Sequence, residues 1–151
     1  MLRVTDSLYA IAITLWVGGL WAIGYVAAPT LFSQLGATVA GNIAGRLFTS
    51  MSWVGIGCAA YLMLYLITRR GLGAFKSVVF WTVLVMLLLT LAGHFGVQPI
   101  MERIKAEAPR ELMEGVIRDR FARWHGVSSV LYLIQSLLGL ALVVLQGRGT
   151  R

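Results

Sequence analysis

The chain of 151 residues holds two histidines, His94 in LAGHFGVQP and His125 in FARWHGVSS. A neutral imidazole offers a nitrogen lone pair to copper, zinc or iron, and two imidazoles on facing helices could share one ion or clasp a haem iron from opposite sides. If the chain folds back at Ala108-Pro109, the antiparallel partner of residue 94 falls close to residue 125, and the two rings are expected level on adjacent helices. The residue types around them extend the pattern. His125, Ser128, Ser129, Tyr132 and Ser136 fall on one stripe of a helix, and Thr90, His94, Gln98 and Met101 fall on another. Gln98, Ser128 and Tyr132 are expected to line a shared cavity, with Met101 as a further metal ligand.

Three chemistries stay open for this pair. A closed zinc or copper site wants three or four ligands, and Met101, Gln98, Glu102 and Tyr132 stand at no diagnostic spacing to complete one. A haem b would need a planar slot, which Gly93, Gly96 and Gly126 could leave. Hydrogen bonding to serine, glutamine or backbone near the lipid headgroups accounts for the same two residues without any cofactor. Catalysis has less to stand on. There is no nucleophile elbow, no phosphate-cradling glycine loop and no inward pair of carboxylates, so a non-catalytic protein is expected.

The elements that must position these residues are membrane helices. Hydrophobic residues make up 58% of the chain and charged ones 13%, with a mean hydropathy of +0.80, which leaves too little polar surface to coat a soluble globule. Leu8–Ala28, Trp53–Ile67, Ser77–Val97 and Val127–Leu145 are the four apolar runs, measured against the roughly 20 residues a spanning helix needs. The second run is short alone, but its pattern extends back through Met51, Phe48 and Leu47. No small-x-small cleavage pattern follows the first run, which is therefore expected to stay in place. Asp6 reads as the N-cap of that run's first turn.

The connections also read as helical. Leu31, Phe32 and Leu35 continue the first run, Gly36 suits a C-cap, and Thr38 an N-cap. Val97, Ile100, Met101 and Ile104 carry the third run outward past Pro99, which can kink a helix without ending it. Leu112, Met113, Val116, Ile117, Phe121 and Trp124 make an amphipathic stripe opened by Pro109. The expectation is an all-α integral membrane bundle, a single domain over 1–151 of two antiparallel helical hairpins. Its helices extend beyond the bilayer on the outer side.

Lys and Arg set the orientation. Arg3 precedes the first run, Arg69, Arg70 and Lys76 fill the second loop, and Arg148 and Arg151 close the chain, whereas the first loop has Arg46 alone. The third loop runs against this with six bases and five acids. Both termini are expected on the cytoplasmic side. The net charge of +7 is spread over both membrane faces and does not point to nucleic acid. Cys58, the lone cysteine, sits mid-helix and is expected to be inert. Gly41, Ala44 and Gly45 form a small-residue face that lets another helix backbone approach. That face gives the alternative function, an assembly module docking a membrane-protein partner or a second copy, with structural histidines.

Four motifs carry a resemblance. Trp16-Val17-Gly18-Gly19, Ala28-Pro29-Thr30-Leu31-Phe32, Ala40-Gly41-Asn42-Ile43-Ala44-Gly45-Arg46-Leu47-Phe48 and Phe121-Ala122-Arg123-Trp124-His125-Gly126-Val127-Ser128 make the chain similar to the family of small four-helix membrane proteins typified by transmembrane protein 205, known in bacteria as a domain of unknown function. The resemblance covers nearly the whole chain and implies the four-helix fold and the bacterial inner membrane. It implies no settled activity, although an association of the eukaryotic relative with resistance to metal drugs fits metal handling. His125 matches the family's histidine before the last span; His94 has no such match. WVGGLW also resembles the copper-resistance D membrane domain, but Ser7-Leu8-Tyr9 stands where that family would carry an early histidine.

Overall fold

A lone segment surrounded by hydrocarbon must close its backbone hydrogen bonds within itself, and the four apolar runs do so as helices. The computed structural model describes residues 2–107 and 116–148, and every regular element among them is helical. The first span is built from Leu2–Trp21, a π-helical stretch Ala22–Ala27, and Ala28–Gln34. Ala37–Arg70 is the second span, followed by a 3₁₀ connection, Gly71–Lys76. The third span repeats the plan of the first: Val78–Leu91, a π stretch Ala92–Val97, then Gln98–Glu107. Val116–Arg148 is the fourth. Among the described residues, four helices are long and apolar enough to cross a membrane, and they make a four-helix membrane bundle. The second and fourth spans each pack against both the first and the third. The expected bend at Ala108-Pro109 lies outside the described residues, as does most of the amphipathic stripe beginning at Leu112.

Proline explains the two π stretches. Pro29 and Pro99 lack the N–H that an α-helix would aim at the carbonyl four residues back, and their rings crowd that carbonyl. Each proline is preceded by a turn with wider spacing: the N–H of Ala28 reaches the carbonyl of Ile23, and that of Gln98 reaches Gly93, five residues back in both cases. The helix passes the proline without ending, and everything beyond is rotated by about one residue relative to an unbroken α-helix.

Glycine and short turns set the ends. Leu35 and Gly36 alone separate the first span from the second. Gly36 is itself the N-cap, with φ −57° and ψ 144°, and its carbonyl accepts from the N–H of Ala40 at 3.0 Å, so the helix starts before the expected Thr38 cap. At the opposite end Gly71 closes the second span with φ +54°, a conformation that side chains disfavour. Asp6 does not cap a helix either, because the first span is helical from Leu2. Its carboxylate instead accepts from the Tyr65 hydroxyl at 2.5 Å and pairs with Arg69, tying the first span to the second at the Gly71 end.

The core lies where all four spans meet, around Trp16, Ile13, Leu62, Val83, Met86 and Leu142, each fully buried. Helices in lipid gain little from hydrophobicity and pack by close approach at small residues. Here the tight positions are Gly19 against Met51, Gly24 against Tyr132, Gly55 against the Trp16 indole and Gly139 against Val17. Gly45, expected on a packing face, has no atom within 4 Å of where its Cβ would stand; Ala44, beside it, is buried. Gly55 and Gly57 provide an internal comparison, since a Cβ at Gly55 would stand 2.5 Å from the Trp16 Nε1 whereas one at Gly57 meets open space. Gly55→Ala is expected to destabilise the bundle by about 1–3 kcal/mol through overpacking, and Gly57→Ala to leave it unchanged or slightly stabilised. Thermal unfolding of both variants in the same detergent checks the pair.

Candidate functional site

The π turn at Ala92–Val97 carries His94 and decides where it points. Its Nδ1 lies 2.9 Å from Oε1 of Gln98, one turn on. The Thr49 hydroxyl of the second span reaches the same Oε1 at 3.3 Å and its own Gly45 carbonyl at 3.0 Å. The imidazole stands edge-on to Trp53, centroids 5.3 Å apart, and to Phe95 at 4.7 Å. Trp53 is 57% and Phe95 60% exposed, so these rings sit on the outer surface of the second and third spans, where lipid would be. A carboxamide oxygen only accepts, so Nδ1 is the donor in this hydrogen bond, and in the neutral form of the ring that bond leaves the lone pair on Nε2.

His94 therefore faces the second span, and the fourth span meets the third through other residues. Gln135 donates to the Thr90 hydroxyl at 2.7 Å, with both side chains buried. Met86 packs at Gly139. Counting along both helices from these contacts brings His94 level with Leu131. His125 stands about six residues further along, an offset on the order of 9 Å at 1.5 Å per residue. The expectation of two level imidazoles is thus corrected. Pro99 rotates the outer part of the third span, and the register between the third and fourth spans is displaced from the one a turn at Pro109 implies.

The expected lining residues scatter in the same way. The Tyr132 hydroxyl donates to the Leu20 carbonyl on the first span, and its ring lies edge-on to Phe48 at 5.3 Å. Ser129 and Ser136 bond to carbonyls one turn back, those of His125 and Tyr132, so this stripe is satisfied largely within its own helix. Ser128 and Met101 are half-buried and His125 is exposed. Among the described residues, the hydrogen bond between two side chains of the expected set is the one joining His94 to Gln98. Thr49, Trp53 and Gln135 were not singled out by the sequence pattern. The signal that could have found the first two is the pairing of AIGYVAAP with AGHFGVQP, which marks where the α pitch fails. Among the described residues, no three of His, Cys, Asp and Glu come together as a metal cluster.

Above this site the same two helices open into a cleft of about 430 Å³, lined by Asn42, Gly45, Arg46, Thr49, Glu102 and Ala106. Thr49 belongs to both, so the cleft floor is continuous with the Gln98–His94 pair. Replacing Gln98 by leucine removes the acceptor that selects the tautomer. Nitrogen-15 spectra of labelled histidine should show His94 with its proton on Nδ1 in the native protein and shifted towards Nε2 in Gln98→Leu. A Nε2-protonated ring in the native protein would overturn the assignment.

Residues 11–110, about two-thirds of the chain, match the model of a family described as a domain of unknown function, DUF4149. The matched stretch takes in both π turns, His94, Gln98 and both walls of the cleft. No curated protein and no solved structure matches the chain. By that match the chain belongs to the DUF4149 family, as a membrane protein of four spanning helices.

Proposed function

We propose that this is a non-catalytic integral membrane protein that binds haem iron through Nε2 of His94, on the lipid-facing side of the second and third spans. The supporting observation is the 2.9 Å hydrogen bond from Nδ1 to Gln98, with Thr49 on the same oxygen. A second partner that fixes the tautomer and raises ligand basicity is the usual companion of a ligating imidazole. Haem is favoured over a bare ion because one axial imidazole suffices for it. A closed zinc or copper site takes three or four donors, and the described residues bring no such group together. The exposed faces of Trp53 and Phe95 offer a porphyrin an apolar wall reached directly from the bilayer. Bacterial inner-membrane placement, with both termini cytoplasmic, belongs to this proposal through the Lys and Arg distribution.

A second reading, the assembly module, has one observation in its favour: the site at Gly45 is open. Ala44, however, is buried inside the chain's own bundle, so the small-residue face is only partly free to receive another helix.

The haem proposal expects a Soret band in protein purified from haem-replete cells. His94→Ala should abolish the band, and His125→Ala should retain it. Binding should weaken on acidification, because a proton occupies the same lone pair. Absence of a Soret band after haem supplementation would refute the proposal, and elemental analysis of the same sample tests copper in its place.

A further inference from the structure

A short turn of net positive charge joins the second span to the third. Gly71 ends the second helix with φ +54°, and the 3₁₀ connection Gly71–Lys76 reverses the chain. Ala74 has no exposed surface and seats the turn against Leu66 and Phe80. The Arg70 guanidinium lies 3.5 Å from the Ser77 hydroxyl, which brings it beside Lys76. Both cations are exposed. At this end of the bundle the acid among the described residues is Asp6, whose carboxylate is taken by Tyr65 and Arg69; the other five acids of the sequence fall between residues 102 and 119. Arg69, Arg70 and Lys76 thus stand against one carboxylate, and Arg70 and Lys76 carry the excess charge.

Trp81 sets the depth of the turn. Its indole N–H donates to the Phe75 carbonyl at 2.9 Å, and its ring is 53% exposed. Exposed tryptophan settles where hydrocarbon gives way to headgroups. Ser77, four residues before Trp81, stands about 6 Å further out at 1.5 Å per residue. The headgroup layer of one leaflet is about 5–7 Å deep, half the difference between a core of about 30 Å and a bilayer of about 40–45 Å. The Arg70 guanidinium at Ser77, and Lys76 next to it, therefore lie within that layer. Below them Val78, Trp81, Val85 and Leu88 are all exposed and fall on one stripe of the third span. Leu88 is about 10 Å inward of Trp81, so the stripe stays in the near half of the core; Phe95, about 20 Å inward, belongs to the far half.

We infer that this turn is a binding site for an anionic phospholipid whose headgroup carries a phosphate and no ammonium, as phosphatidylglycerol does. Arg70 takes the phosphate oxygens through its planar fork of donors, Lys76 adds a point charge, and an acyl chain follows the stripe from Val78 to Leu88. Charge complementarity selects this lipid over a zwitterionic one, whose ammonium would meet two cations. The apolar stripe directly below the charges selects a lipid over a soluble anion. Any basic membrane face attracts anionic lipid diffusely; here the buried Ala74 and the Trp81 tether hold both cations on one turn. The inference uses no residue of the haem proposal, and its lipid lies in the opposite leaflet from Phe95.

The test uses the full-length protein in detergent, with bound lipid counted by native mass spectrometry during titration with phosphatidylglycerol, phosphatidylethanolamine or phosphatidylcholine. Phosphatidylglycerol should bind tightest. Arg70→Gln and Lys76→Gln should each weaken it about fivefold, the scale of one cation at a lipid surface, and the double variant about thirtyfold. A charge-matched control, Arg46→Gln with Arg103→Gln, changes exposed cations at the other end of the bundle and should leave that affinity unchanged. An unchanged unfolding temperature certifies that the variants fold. In the native protein, added salt should weaken phosphatidylglycerol selectively. Equal binding of the three lipids by the native protein, full retention in the double variant, or an equal loss in the control would overturn the inference. Displacement by millimolar inorganic phosphate would also overturn it, by identifying a free anion as the ligand.

Discussion

The missing N–H of proline is the constraint on which the rest of the structure depends. In hydrocarbon a freed carbonyl has no water to turn to, so a helix interrupted by Pro29 or Pro99 must re-pair its backbone from within. It does so with one widened turn before each proline, Ala22–Ala27 and Ala92–Val97. Each turn gives a partner access. At the first, Gly24 receives the Tyr132 ring, whose hydroxyl reaches the Leu20 carbonyl. At the second, His94 is swung towards Trp53 and away from the fourth span.

This places polar groups of two kinds in different parts of the bundle. Gln135 and Thr90 are buried together at the junction of the third and fourth spans, where a polar pair in lipid contributes modestly to stability and fixes register. His94, Gln98 and Thr49 lie at the rim of the second and third spans, beside exposed rings and beneath an open cleft. The buried pair satisfies its own hydrogen bond and reads as structural. The rim triad opens to lipid and to the cleft, which is where a ligand could enter.

Much of the fold was legible in the sequence, because apolar runs of spanning length admit only one class of answer. The four spans, the short turn near Gly36 and the continuation of the third helix past Pro99 follow from hydropathy and helical spacing alone. The site was legible only as far as His94 and Gln98, four residues apart. The error came from carrying a 100° step through residues 92–97 and from assuming that a turn at Pro109 fixed the register. Gln135, which no sequence pattern singles out, is what shows the register to be different, through its bond to Thr90. Asp6 was misjudged for a related reason: its partners Tyr65 and Arg69 come from a helix some sixty residues away, and local pattern favours the nearer explanation of a cap.

Because the chain has two histidines and the two candidate geometries set them against different rings, one spectroscopic contact decides between them. Solid-state NMR of protein in lipid, with carbon-13 in the histidine rings and nitrogen-15 in the tryptophans, should show the His94 imidazole in contact with an indole. That signal should vanish in Trp53→Phe, with no cross-peak joining the two imidazoles. A cross-peak between the imidazoles of His94 and His125, or an indole contact that survives loss of Trp53, would contradict the account.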